Sequence, residues 1–255
     1  MTSTFYIWEG IYDSFQAANA DTIGPGFSGD IYRNKCLNIA QDCFSALNTG
    51  KPIPPFHKQR STLLPPVVAM TLQRDSRLRI LDLGGGLGIG YMTLIESIPL
   101  ASEKIEYTIV EIPEICTAGR ELHSSSGLIY LESLPSHGEF DLIHSASALQ
   151  YIEDWQQVLR SLSNYGTQYM LLSDIFSGEI PTFVTLQNYY GSKIRHWFIN
   201  IDELLDVISS IGYRLVMKSF VNSRRLEAED FLPMDNFPKN HRLEHSLHLL
   251  LRRDT

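Results

Sequence analysis

Arg79-Ile80-Leu81-Asp82-Leu83-Gly84-Gly85-Gly86-Leu87-Gly88-Ile89-Gly90 is an apolar strand that closes on an acid and then dissolves into glycines. That order sets a carboxylate beside a loop whose backbone has no Cβ atoms to hold a ligand away. A dinucleotide fingerprint, G-x-G-x-x-G, needs its last glycine three residues after the second. Counting from Gly84 and Gly86 lands on Ile89, and counting from Gly86 and Gly88 lands on Tyr91. The spacing argues against a nicotinamide oxidoreductase and leaves acid-x-G-x-G-x-G, carried by Asp82, Gly84, Gly86 and Gly88 with Gly85 between them.

Downstream of Arg77, short aliphatic runs alternate with amphipathic stretches, the pattern of a parallel sheet with crossover helices. Strands are predicted at Leu78–Leu83, Tyr107–Ile112, Leu128–Leu131, Phe140–Ser145, Tyr169–Asp174, Arg214–Val221 and Ser246–Arg252. Helices are predicted at Tyr91–Ile98, at Pro113–His123 with proline in its first turn, at Trp155–Leu162, and at Asp202–Ile211 with Gly212 as its stop. The count fits an open, doubly wound α/β sheet. Asn222–Glu244, rich in charge and proline, carries no helical period. Upstream of Asp75, Ile31–Leu47 has helical spacing and Pro52, Pro54, Pro55, Pro65 and Pro66 interrupt any long element, so residues 1–75 read as a helical extension or lid and 76–255 as the ligand-binding domain.

The chain of 255 residues, 44% hydrophobic, can bury a large core without disulfide or metal. Its formal net charge of -8 argues against a surface built to neutralise nucleic-acid phosphates. Cys36, Cys43 and Cys116 form an odd set without C-x-x-C spacing and read as reduced core residues. The opening Met1 to Gly10 lacks the basic and apolar regions of a secretory signal, and no apolar run approaches a membrane span, so a cytoplasmic protein is expected. His241-Arg242-Leu243-Glu244-His245 fits H-x-x-E-H, but a zinc site of that type needs a helix and a further ligand, and Ser246–Leu251 reads as a strand. No metal is expected.

The acid-x-G-x-G-x-G stretch resembles the first motif of S-adenosylmethionine-dependent methyltransferases. With Trp8-Glu9-Gly10-Ile11-Tyr12-Asp13-Ser14-Phe15-Gln16-Ala17-Ala18, the chain resembles a bacterial methyltransferase family found with surface-polysaccharide and lipopolysaccharide biosynthesis genes. The resemblance implies a Rossmann-like, seven-stranded class I sheet with helices on both faces and an antiparallel last strand. It also implies S-adenosyl-L-methionine as cofactor and a glycan or glycan-precursor hydroxyl as acceptor. A non-catalytic module of the same fold, assisting a neighbouring glycan enzyme, is the alternative.

Carried onto this sequence, the cofactor loop is Asp82, Gly84, Gly85, Gly86 and Gly88. Glu111, at the end of the second strand, is placed to accept from both ribose hydroxyls, and Ile112 to touch adenine. Glu132 and Ser133 follow the third strand, where relatives often place an Asp that meets the adenine amino group. Ser145 and His144 end the fourth strand near the methionine moiety. Many relatives carry two histidines shortly after this strand, where this chain has Gln150 and Tyr151. Methyl transfer releases a neutral thioether, so positioning dominates, but a hydroxyl acceptor must still lose a proton to a base. His144, Asp174 and His196 are the candidates for that base. His196 lies in Pro181–Asn200, where Tyr189, Tyr190, Lys193, Arg195 and Trp197 suit stacking on a sugar or gripping a phosphate, or simply form an amphipathic helix on the core.

Overall fold

The computed structural model describes residues 5–72, 77–124, 127–221 and 231–254. The chain opens with a strand, β1 (Trp8–Tyr12), and four helices, α1 (Phe15–Ala18), α2 (Asp30–Asn48), α3 (Pro55–Lys58) and α4 (Leu64–Thr71). The helical layer expected here is present, with one strand added to it. The domain boundary expected after residue 75, the Met1–Thr4 opening and Asn222–Asp230 fall outside the described residues.

The central sheet then begins. In chain order come β2 (Leu78–Leu83), α5 (Ile89–Ser97), α6 (Ala101–Lys104), β3 (Ile105–Val110), α7 (Pro113–Leu122), β4 (Ile129–Leu131), β5 (Leu142–Ala146), α8 (Trp155–Ser163) and β6 (Tyr169–Ile175). An insertion follows as β7 (Ser177–Gly178), β8 (Phe183–Tyr189) and β9 (Ser192–Asn200). The chain returns through α9 (Ile201–Ser210), β10 (Tyr213–Phe220) and β11 (Leu247–Arg253). Every strand predicted for the central sheet is found, with ends shifted by a few residues.

The seven strands lie in the order β10-β11-β6-β5-β2-β3-β4. β2 pairs in parallel with both β3 and β5, whereas β11 runs antiparallel to β6 and to β10. Strand order therefore reverses between β2 and β5, and the crevice at their carboxyl ends is where such sheets take ligands. β2 is buried on both faces because helices cover both: Leu81 and Leu83 join a cluster with Trp155 of α8 and Leu204 of α9, and Ile80 joins one with Leu64 of α4 and Leu94 of α5. The helix starts are written locally. Pro113 opens α7, Asp154 caps α8 by accepting from Gln157 N at 3.1 Å, and Asn200 caps α9 by accepting from the amides of Asp202 and Glu203 at 2.9 and 3.0 Å.

The insertion corrects the helical reading of 181–200. It is a hairpin, and with β1 and β7 it makes a second sheet of order β1-β8-β9-β7. Its turn is Tyr190-Gly191, both with positive φ (55° and 69°), as the primed two-residue turns that match strand twist require. Strand alternation divides the residues that looked like one cluster. His196 and Phe198 point into an aromatic core with Trp8 and Phe176, whereas Trp197 stacks on Phe15 at 5.3 Å and Arg195 lies over the same ring. β1 pairs with β8, which ties the N-terminal layer to this sheet.

Trp8 is fully buried and meets Phe176 and Phe198 edge-on, each at 5.5 Å between centroids. Trp8→Ala is therefore expected to cost about 3–5 kcal/mol, read from urea denaturation. A loss below about 1 kcal/mol would show that β1 is dispensable to the small sheet.

Candidate active site

The glycine loop is held from beneath. Asp82, at the end of β2 and 1% exposed, accepts a hydrogen bond from the Tyr107 hydroxyl at 2.6 Å, and its Oδ1 lies 2.9 Å from His144 Nδ1. Tyr107 stands on β3 and His144 on β5, so one carboxylate links the three central strands at the switch point. The structure thus places Asp82 under the loop, with its oxygens on protein partners rather than facing the cleft.

Gly84, Gly86 and Gly88 all have positive φ, at 71°, 56° and 79°. A Cβ on Gly84 would lie 2.3 Å from Cβ of Ala148 in the segment after β5, and one on Gly85 would lie 2.5 Å from Asp82 Oδ2. A Cβ on Gly86 meets no atom within 4 Å. Gly84 and Gly85 are therefore required for packing, whereas Gly86 turns its bare side to the cleft. Gly88 leads into α5, and Met92 N donates back to its carbonyl at 2.9 Å.

Glu111 follows β3 directly and borders the same opening. Its carboxylate accepts from Gly86 N at 3.2 Å and from Ile112 N at 2.8 Å. Burial raises the Glu111 carboxyl above the ordinary range, and the two amides pull it back only in part. Ile112 is half-buried at the start of α7 and packs toward α2. Glu132 and Ser133 are exposed; Glu132 accepts from Arg120 at 3.3 Å.

The catalytic histidines expected from sequence are not on the cleft. His144 is 1% exposed and faces Asp82 inside the sheet. His196 is fully buried among the rings of Trp8, Tyr151, Phe176 and Phe198. Neither imidazole reaches an acceptor without rearrangement of the core. Ser145 is also buried, its hydroxyl donating to Leu83 O at 3.0 Å.

Asp174 does end β6 at the crevice, but its oxygens are committed. Oδ2 accepts from the Ser147 hydroxyl at 2.8 Å and pairs with Arg60 Nε at 2.9 Å; Oδ1 accepts from the Ser246 hydroxyl at 2.5 Å. Asp174 and Ser147 are both non-glycine residues with positive φ, 54° and 59°. Strain of that kind, of order 1–3 kcal/mol per residue, persists where surrounding contacts over-determine a site.

Arg60, which carries no sequence signal, completes the constellation from the turn Gln59–Ser61. Its side chain keeps 45% of its surface accessible although Asp174, its partner, is fully buried. Burial opposes its charge, but Asp174 and the nearby phenols of Tyr151, Tyr190 and Tyr189 raise its pKa overall. Above the cleft lies an aromatic roof. Phe27 meets Tyr32 at 4.9 Å and Tyr151 at 4.7 Å, Tyr32 meets Tyr190 at 5.0 Å, and Lys35 sits over the rings of Tyr189 and Tyr190. The roof joins the N-terminal layer to the hairpin tip.

Among the described residues no group of three or more His, Cys, Asp or Glu could hold a metal ion, and no helix is long and apolar enough to cross a membrane. No family model matches the chain, and no curated protein matches it. Solved structures do. The 1,6-didemethyltoxoflavin-N1-methyltransferase of Burkholderia thailandensis, solved with 1,6-didemethyltoxoflavin and S-adenosylhomocysteine, aligns over 92% of this chain and 94% of its own at 13% identity and a TM-score of 0.51. The magnesium protoporphyrin IX methyltransferase of Synechocystis PCC 6803, solved with S-adenosylmethionine, aligns over 88% and 94% at 13% identity and a TM-score of 0.53. An S-adenosylmethionine-dependent methyltransferase of Clostridium acetobutylicum aligns over 86% and 100% at 14% identity and a TM-score of 0.51. At these identities the likeness is one of fold: the chain has the class I methyltransferase fold.

The glycines make separable predictions. Gly84→Ala is expected to cost about 3–5 kcal/mol, from backbone strain plus the clash with Ala148. Gly86→Ala is expected to cost only about 1–2 kcal/mol. Urea midpoints check both, and equal losses would contradict the assignment of Gly86 to the open face.

Proposed function

We propose that this protein is an S-adenosylmethionine-dependent methyltransferase acting on an oxygen of a small acceptor, with sugars and glycan precursors as the acceptor class. The observation that carries the reading is the pairing of Gly86, open where a Cβ would stand, with the half-buried carboxylate of Glu111 at the switch point of a class I sheet.

The residues present fit such a cofactor. The Glu111 carboxylate, held by Gly86 and Ile112, is positioned to accept from a pair of ribose hydroxyls, and Ile112 offers an apolar edge beside it. Gly84 to Gly86 and Ser147-Ala148 give a close backbone surface for the amino-acid end. Glu132 and Ser133 border the adenine side from the end of β4. Bound there, S-adenosylmethionine supplies a methyl group on a sulfonium centre. Phe27, Tyr32, Tyr151 and Tyr190 offer ring faces of the kind that stack on sugars, and they exclude water from the acceptor side. The N-terminal segment acts as a lid in this reading.

Calorimetry with S-adenosylhomocysteine tests the assignment, with Glu111→Gln expected to weaken binding by about tenfold or more. The same variant has a stability signature. Because burial raises the Glu111 carboxyl, the folded state favours its protonated form; the stability it contributes is complete below the unfolded carboxyl range and is lost as pH rises through the folded value. Glu111→Gln should therefore match the wild type near about pH 4 and exceed it in urea midpoint near about pH 8. Unchanged affinity in the variant would remove Glu111 from the ligand site.

A further inference from the structure

The cleft contains an arginine with donors to spare. Arg60 pairs with Asp174 through Nε at 2.9 Å, and among the described residues neither Nη1 nor Nη2 donates a hydrogen bond. Asp174 is fully buried and Arg60 is not, so the outer edge of the guanidinium fork is the part that faces the cleft. The strained backbone of Asp174 and Ser147, with the Ser246 and Gln150 hydrogen bonds to the same network, fixes the orientation of that fork.

Among the described residues, no base around this pair is open to the cleft: His248, whose imidazole interacts with Asp174, is only 2% exposed. Asp174 accepts from Ser147 and Ser246 and is ion-paired with Arg60. Tyr151 donates to Gln187 Oε1 at 2.7 Å, and Lys35 stacks over Tyr189 and Tyr190. Burial raises the phenols of Tyr32 and Tyr190 and pushes the Cys36 thiol up to about 11, so all three keep their protons at neutral pH. Glu111, across the cleft, is bonded to Gly86 and Ile112, and His144, His196 and His248 are sealed in the core. A hydroxyl acceptor would have nowhere among these groups to send its proton. A carboxylate, with a pKa of about 4, arrives already deprotonated and is the anion that a guanidinium fork recognises through two parallel hydrogen bonds.

We propose that the acceptor is a small carboxylate, gripped by Nη1 and Nη2 of Arg60 under the rings of Phe27, Tyr32, Tyr151 and Tyr190, and that the product is its methyl ester. This rests on the methyltransferase reading and narrows it: a uronic acid meets both the sugar class and the carboxylate. In the step, a carboxylate oxygen forms a bond to the methyl carbon as the carbon–sulfur bond breaks. The electron pair stays on sulfur, the carboxylate and sulfonium charges cancel, and no proton is released.

The experiment separates this proposal from the reading beneath it. Calorimetry with S-adenosylhomocysteine is done first. On protein saturated with that compound, glucuronate and benzoate are titrated beside their neutral counterparts, glucose and benzamide. Each carboxylate is expected to bind about tenfold or more tightly than its counterpart, and Arg60→Lys, which keeps the charge opposite Asp174 but loses the fork, should erase the difference. Protein that binds S-adenosylhomocysteine but does not prefer the carboxylates would overturn the carboxylate proposal and leave the methyltransferase reading standing. Label transferred from methyl-tritiated S-adenosylmethionine to glucuronate or benzoate should be released by mild base as methanol; base-stable label would mean an ether and sink the proposal. A decarboxylated amine analogue of S-adenosylhomocysteine distinguishes the remaining source of a carboxylate. If Arg60→Lys weakens S-adenosylhomocysteine and spares the analogue, Arg60 holds the cofactor's own carboxylate and the proposal fails.

Discussion

A single buried carboxylate holds the centre of this molecule together. Asp82 ends β2, and its two oxygens meet Tyr107 from β3 on one side and His144 from β5 on the other. A polar group at 1% exposure is costly when unpartnered, and removing Tyr107 would take away its recorded hydrogen bond. The arrangement fixes the spacing of three strands where their order reverses, and the glycine loop lies directly upon it. Gly85 and Gly90 are small because this network fills the space beneath them: added Cβ atoms would meet Asp82 Oδ2 at 2.5 Å and the Tyr107 hydroxyl oxygen at 2.5 Å. The shape of the ligand cleft is thus set from within the sheet.

Much of this was legible in the chain because the signals were local. A strand, an acid and a glycine run announce the loop; aliphatic runs separated by amphipathic stretches give the central strands; Pro113 and Gly212 punctuate two helices. The insertion was harder. Lys193 to Trp197 mixes cations, an isoleucine and aromatic rings in a run that suits either a helix face or two strand faces, and only pairing with β8 decides between them. The interval after the loop points to Glu111, which the fold sets against Gly86, whereas no sequence signal points to Arg60. Its meaning comes from Asp174, more than a hundred residues away in sequence, and nothing in His57-Lys58-Gln59-Arg60-Ser61 distinguishes it from an ordinary solvated run.

The histidines show the limit of reasoning from strand ends. His144 sits at the expected position of the expected strand, yet it serves the interior because it lies beside Asp82 in the β2–β5 register. His196 lies in the expected segment, but strand alternation turns it toward Trp8 and Phe176. Position along the chain located both correctly; which way each faced depended on sheet geometry. With both withdrawn, the polar chemistry of the crevice falls to Arg60, Asp174, Ser147 and Glu111.

The roof of the cleft is assembled from segments far apart in sequence. Phe27 and Tyr32 come early, Tyr190 comes late, and Trp8 of β1 finds its strand partner only at Gln187 of β8. During synthesis, the first strand therefore emerges with its hydrogen-bonding edge and its indole unsatisfied, and must wait for most of the polypeptide to follow. Closing the roof therefore requires residues 8–32 and 187–190, far apart in sequence, to come together.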